Sequence, residues 1–217
     1  MQILNQIQEM FGVNKKLISL RRVFEVVGLI FPLLVSGLAS ANETFNLDDF
    51  EYAGVRIGFT PEQTVEALSK YYSLNADDLE ITYLKDPVSG LDNPVRSINY
   101  KTPELKITAG FYPDLRQQPV TETPLTSLTV ILKMDSSYAS ETEFNEELAK
   151  PVTDQYGAPT FTGLASYSWC ARVDPEVSVC DIKSAVFSIN SSGWPQGSRI
   201  LLKDPTVTSL FNKAVNK

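Results

Sequence analysis

Acidic side chains supply most of the chain's potential for chemistry. They gather as Asp48-Asp49-Glu51, Asp77-Asp78-Glu80 and Glu141-Glu143-Glu146-Glu147. Two carboxylates facing one substrate would suit glycoside hydrolysis. A carboxylate at a helix N-terminus, as expected for Glu141 and Glu143, instead stabilises the helix dipole. None of the clusters has the spacing of a calcium loop, and no Ser-x-x-Lys or glycine-rich phosphate motif occurs. The chain holds no histidine and two cysteines. Histidine-dependent nucleophile pairs are therefore excluded, and so is a four-thiolate zinc site. The catalytic inventory implies a non-enzyme with no metal and no cofactor. A carboxylate-dependent hydrolase acting on cell-wall or polysaccharide material is the alternative. A small-ligand carrier is another, and it would need an enclosed apolar pocket.

Cys170 and Cys180 flank Asp174-Pro175, a turn signal between two strand-like runs. A hairpin centred on Pro175 would set Cys170 across from Cys180, within disulfide reach. The bond would close a short loop and add on the order of 2–3 kcal/mol. The two sulfurs are too far apart in sequence for a C-x-x-C redox motif.

The start of the chain reads as an address. Lys15, Lys16, Arg21 and Arg22 precede an apolar run, Val26 to Val35, and then Ala39-Ser40-Ala41. Basic, apolar and small residues in that order make a secretory signal peptide over 1–41. The apolar run falls short of the ~20 residues that span a bilayer, and Glu25 and Pro32 interrupt it. A retained anchor is the alternative. The mature chain is then residues 42–217, expected to be periplasmic or secreted, with no membrane contact after cleavage. The whole chain carries a net charge of −7, and the leader takes more basic than acidic residues with it. That balance argues against nucleic acid and against anionic lipid as partners. Another exported protein is the expected partner. Composition is that of a globular chain, 43% apolar and 21% charged, long enough to bury a core without metal.

The elements that must position these residues are written in capping and alternation. Val55 to Phe59 reads as a short strand. Thr60-Pro61-Glu62-Gln63 opens a helix as a capping box with proline at N1, with Val65, Leu68 and Tyr72 as its apolar stripe. Residues 79–85, 95–101 and 105–112 alternate as antiparallel strands with one wet face. Residues 127–134 form another strand. Ser140-Glu141-Thr142-Glu143 opens a second helix, expected to break after Lys150 because Pro151 follows. Strands are expected at 165–172, 177–189 and 198–203. Asp204 and Pro205 start a last helix with Val207, Leu210, Phe211 and Ala214 on one face. The fold class is thus α+β, an antiparallel sheet with helices on one face. The order suggests two tandem strand-helix-three-strand units, 55–112 and 127–203, plus a C-terminal helix. A single α+β domain with chance order is the alternative.

Gly58-Phe59-Thr60-Pro61-Glu62-Gln63-Thr64-Val65 resembles the G-M-T-x-x-x-V helix entry of small exported bacterial proteins. These include the small outer-membrane assembly lipoproteins and the β-lactamase-inhibitor-protein-like group. The resemblance implies a helix packed on an antiparallel sheet and, for the inhibitor-like group, two tandem copies of that unit. Phe59 stands where methionine is usual, and no lipidated cysteine is present, so no functional residue is carried over.

Aromatics are the best binding material. Tyr167 and Trp169 fall opposite Cys170 on their strand, and Tyr83, Tyr100 and Tyr112 are expected on a common face. Trp194 lies in a turn with Pro195. An exposed aromatic sheet face would suit a protein partner. The alternative is that these rings line the core beneath the helices. The reading is an exported, non-catalytic binding protein.

Overall fold

The computed structural model describes residues 50–84, 91, 93–117, 120–174, 179–181, 183–193 and 196–215. All lie in the compact unit Thr44–Lys217. The expected leader, 1–41, lies outside the described residues, as do Asp48, Asp49, Pro175 and Trp194.

The first helix, α1 (Pro61–Tyr72), starts where its cap demands. The Thr60 hydroxyl accepts from the Gln63 backbone N–H at 3.3 Å, and the Gln63 side chain accepts from the Thr60 N–H at 2.9 Å. Its buried residues are Thr64, Leu68 and Tyr72, spaced by four, with Val65 half-buried beside them. Ser73, at φ 54°, ends it in the left-handed region. Val55 to Phe59 does not make a named strand. Ala53, Gly54 and Gly58 all have positive φ, which breaks an extended run. The segment makes one bridge, Tyr52 to Val55, and two backbone bonds to Leu125.

Four strands follow: β1 (Glu80–Tyr83), β2 (Val95–Lys101), β3 (Leu105–Phe111) and β4 (Leu125–Lys133). Then comes α2 (Glu141–Tyr156), whose N-cap Ser140 accepts from the Glu143 N–H at 3.2 Å. This helix runs through Pro151 rather than breaking at Lys150. An interior proline costs about 3 kcal/mol. Phe144 and Ala149 before it and Val152 after it are buried, so both halves are held on the sheet and ending the helix would expose its second anchor. Gly157, at φ 85°, caps the end.

Next are β5 (Phe161–Gly163), β6 (Ser166–Cys170), β7 (Val173–Asp174), β8 (Val179–Cys180), β9 (Val186–Ser191), β10 (Gly197–Lys203) and α3 (Pro205–Val215). β5 had no expectation in the sequence. The expected strand 177–189 is two strands, β8 and β9. Between them the Ser184 hydroxyl donates to the Asp181 carbonyl at 2.9 Å, and the chain bends. Asp204 caps α3 by accepting from the Thr206 N–H at 2.9 Å. On that helix Val207 is buried and Leu210 is exposed.

The sheet has eight antiparallel strands in the order β1-β2-β3-β4-β10-β9-β6-β5. It is therefore α1 followed by a four-strand meander, then α2 followed by a second meander, β5-β6-β9-β10. The last strands of each, β4 and β10, pair at the centre. β4 closes the first meander rather than opening a second unit. The fold is α+β with a C-terminal helix.

Helix-side residues pair in continuous rows across the strands. One row is Ile98, Ala109, Leu128, Leu202, Phe187 and Trp169, and the next is Tyr100, Ile107, Val130, Ile200, Ile189 and Tyr167. These rows form one core with Leu68 and Tyr72 of α1 and with Phe144, Ala149 and Val152 of α2. Phe50 sits between Tyr156 and Phe187, with ring centroids 4.2 and 4.3 Å away. Among its described residues α3 adds none to that cluster, and it contacts β4.

The disulfide Cys170–Cys180 is present, with Cα atoms 5.5 Å apart. Its setting differs from a hairpin pair. Cys170 pairs with Val186 in the large sheet, while Cys180 pairs with Val173 in the small β7-β8 sheet. The bond therefore fastens the small hairpin to the large sheet.

Tyr52, Tyr71 and Tyr72 cluster where α1 meets the 50–55 segment, with the Tyr71 and Tyr72 rings 4.8 Å apart. Burial pushes the Tyr71 phenol up to about 12, and it also raises Tyr52 and Tyr72 well above the ordinary value. An unfolded tyrosine ionises near 10. Above that pH the unfolded chain holds fewer protons than the folded one, so stability present below pH 10 is lost as pH rises. Absorbance titration of the nine tyrosines should leave these three un-ionised until the chain unfolds. All nine ionising below about pH 11 with the fold intact would contradict the packing.

Candidate functional site

Strand alternation that sends apolar residues under α1 and α2 sends their neighbours to the other face. There the register lines up Glu80, Asn99, Thr108, Thr129, Leu201, Ser188, Ser168 and Phe161, one residue from each of the eight strands. A second row is Thr82, Ser97, Gly110, Ser127, Lys203, Val186 and Cys170. A third is Lys101, Lys106, Ile131, Arg199, Asn190, Ser166 and Gly163. The face is dominated by hydroxyls and amides, with Leu201 and Ile131 half-buried near its centre.

Its polar groups hold one another. The Thr82 and Ser97 hydroxyls lie 2.7 Å apart, and the Asn99 amide donates to Ser97 at 2.9 Å. Toward the other edge, Ser166 donates to the Asn190 side-chain Oδ1 at 2.5 Å, and the Asn190 side-chain amide donates to Ser188 at 2.9 Å. Gly110 keeps room for the hydroxyl opposite, since a Cβ there would meet Ser127 Oγ at 2.7 Å. Two of these bonds cross between strands and two run along one strand, and together they fix rotamers and present donors and acceptors in a set pattern.

This face also concentrates positive charge. Lys101, Lys106, Lys133 and Arg199 are all exposed at one end of it. Lys101 and Lys106 are direct cross-strand partners, an arrangement that is destabilising in itself. Lys203 lies further along β10, beside α3. Glu80 is the acid on these strand positions. The acidic net charge gave no sign of a local basic cluster. The signal was available as the alternate residues of the strand patterns, Ser97-Asn99-Lys101, Lys106-Thr108-Gly110 and Ser127-Thr129-Ile131-Lys133.

The candidate aromatics do not share one surface. Trp169 is 1% exposed, and its indole N–H donates to the Gly157 carbonyl at 2.9 Å. Tyr100 and Tyr167 are half-buried against the same core. These three line the core beneath the helices. Tyr112 projects to the other side, between the Arg96 guanidinium 4.1 Å above its ring and the Phe211 ring of α3 at 5.5 Å. Tyr83 is 54% exposed on the edge strand β1. Trp194 lies outside the described residues.

The described carboxylates have structural occupations or face solvent. Glu143 accepts from the Ala139 N–H at 2.8 Å, and Glu141 accepts from the Gly197 N–H at 2.9 Å, tying α2 to β10. Asp77 and Asp78 are exposed in a single 3-10 turn. Glu51 pairs with Arg56 at 2.9 Å. Asp114 is buried and chelated by Arg116 at 2.7 Å, which holds its carboxyl below the ordinary value. Among the described residues no group of three His, Cys, Asp or Glu side chains is placed to hold a metal ion. No helix among them is long and apolar enough to cross a membrane.

Two surface concavities are open to solvent. One of about 460 Å³ is bordered by Lys203 and by Thr208, Asn212 and Lys213 of α3. The other, about 470 Å³, lies at the start of α2, beside Met134, Glu141 and Gln196. No family model matches the chain, and neither a curated protein nor a solved structure matches it.

Proposed function

We propose that this chain is an exported, non-catalytic binding protein that meets another macromolecule with the sheet face turned away from α1 and α2. The observation that carries the reading is the row running through all eight strands on this face, half-buried at Asn99, Thr108, Thr129 and Leu201, and flanked by the cross-strand bonds Thr82–Ser97 and Ser166–Asn190. A rigid element offers a more precise contact surface than a loop does. The carboxylates that a hydrolase would need are bonded to backbone N–H groups or exposed on caps, which favours the binder over the enzyme. Export rests on the basic-apolar-small order of 1–41, and the disulfide fits an oxidising compartment.

Thr129 lies at the centre of the face, on β4. Thr129→Arg should abolish co-purification of a partner from the extracytoplasmic fraction of the native host. Lys150→Glu, on α2, should leave it unchanged. Unfolding free energy should move by less than about 0.5 kcal/mol for the exposed Lys150→Glu and by somewhat more for Thr129→Arg, whose threonine is half-buried, with both variants folded. A partner retained by both folded variants would rule this face out.

A further inference from the structure

We infer that the basic end of the solvent-side sheet face is the docking site for an acidic surface of another protein. The inference rests on the binding role proposed above and names the chemistry of its partner. Four exposed cations, Lys101, Lys106, Lys133 and Arg199, come from four adjacent strands, β2, β3, β4 and β10. Neighbouring strands are about 4.8 Å apart, so Lys106 and Arg199, two strands apart in one row, stand about 10 Å from each other at the backbone. Like charges directly opposite, as at Lys101 and Lys106, cost stability.

Nothing described neutralises them. The ion pairs among the described residues are Glu51 with Arg56 and Asp114 with Arg116, and neither touches this cluster. The acids nearest in sequence, Glu104 and Asp135, lie in the bounding turns, and Asp135 accepts from the Ser137 N–H at 2.8 Å. A chain of net charge −7 thus keeps an unpaired positive cluster on one face, a pattern that steers and orients an oppositely charged partner. A protein suits the surface better than a glycan does. The residues beside the cluster are Ile131, Leu201, Thr129 and Asn190, giving an apolar centre with a charged rim, and no aromatic ring on the three rows stands beside it for a sugar to stack on.

The test uses poly-L-glutamate as an acidic polypeptide probe, with the purified chain and calorimetry or anisotropy as the readout. The chain should bind at low salt, and binding should weaken steeply as salt is added. Lys101→Glu, Lys106→Glu and Arg199→Glu together should weaken binding on the order of tenfold or more. Lys70→Glu, Lys150→Glu and Lys213→Glu together make the same change of net charge elsewhere and should leave most of the binding intact. Should the first triple variant fail to fold, the glutamine versions at the same three positions carry the same expectation. Equal losses in the two triple variants would overturn the inference. Preference for polygalacturonate or for vesicles containing phosphatidylglycerol over poly-L-glutamate would also overturn it. If partner capture depends on Thr129 yet ignores salt and the charge reversals, the binding role stands and the acidic partner falls.

Discussion

Replacing Trp169 with alanine is expected to lower the free energy of unfolding by about 4 kcal/mol, within the 3–5 kcal/mol range for a large aromatic removed from a core. The residue is 1% exposed and opposes Phe187 across the β6-β9 ladder, with ring centroids 5.5 Å apart. Its indole N–H also satisfies the Gly157 carbonyl at the end of α2. Alanine would remove the ring, open a cavity beside Phe187 and orphan that carbonyl. Trp169→Phe keeps most of the packing and loses the hydrogen bond, so its expected cost is about 1–2 kcal/mol. Chemical denaturation followed by circular dichroism separates the two. A change below about 0.5 kcal/mol for Trp169→Ala would mean that the ring is not part of the core.

The second large effect concerns the disulfide. Cys170→Ala with Cys180→Ala should cost on the order of 2–3 kcal/mol, the chain entropy released when a loop of this length opens. The two cysteines are 10 positions apart. Because Cys170 belongs to the large sheet and Cys180 to the β7-β8 hairpin, the loss should be local as well as global. Amide exchange should rise first at Val173 and Cys180, while β4 and β10 stay protected. Reductant should reproduce the effect in the native chain. An unchanged unfolding midpoint after reduction would show that the bond contributes nothing.

The parts of this fold that were legible in the sequence are those governed by near neighbours. Thr60 and Gln63 close their capping box as read, while at the second helix Ser140 caps the Glu143 N–H but the Glu143 side chain reaches the Ala139 N–H instead of the N-cap, so that box is only half formed. The apolar sets Leu105-Ile107-Ala109-Phe111 and Leu128-Val130-Leu132 declare one buried face by period two. Misreadings arose where distant contacts decide. Pro151 sits in a continuous helix because Val152 beyond it is anchored on the sheet. The stretch 55–59 looks extended, yet the positive φ of Gly54 and Gly58 turns it toward Leu125. Cysteine pairing was legible from the expected compartment and the spacing, although the hairpin geometry used to justify it was not.

The candidate site was less legible. Burial of Trp169, Tyr100 and Tyr167 is set by which strand face the helices cover, and alternation alone does not say which face that is. The polar row is built by register among strands far apart in sequence. Thr129 and Leu201 become neighbours only because β4 and β10 pair. A net charge summed over the chain averages away a basic cluster assembled from four strands.

The account turns on one face being covered at work. The direct measurement is labelling with a membrane-impermeant maleimide in intact cells of the native host, compared with the purified chain. One variant carries Thr129→Cys on the solvent-side face, and the other carries Lys70→Cys on the exposed side of α1. The account predicts that Lys70→Cys is labelled in cells as fast as in purified protein, because the chain is exported, while Thr129→Cys is strongly slowed. Equal labelling of both at the purified rate would contradict a covered face, and no labelling of either until the cells are broken would contradict export.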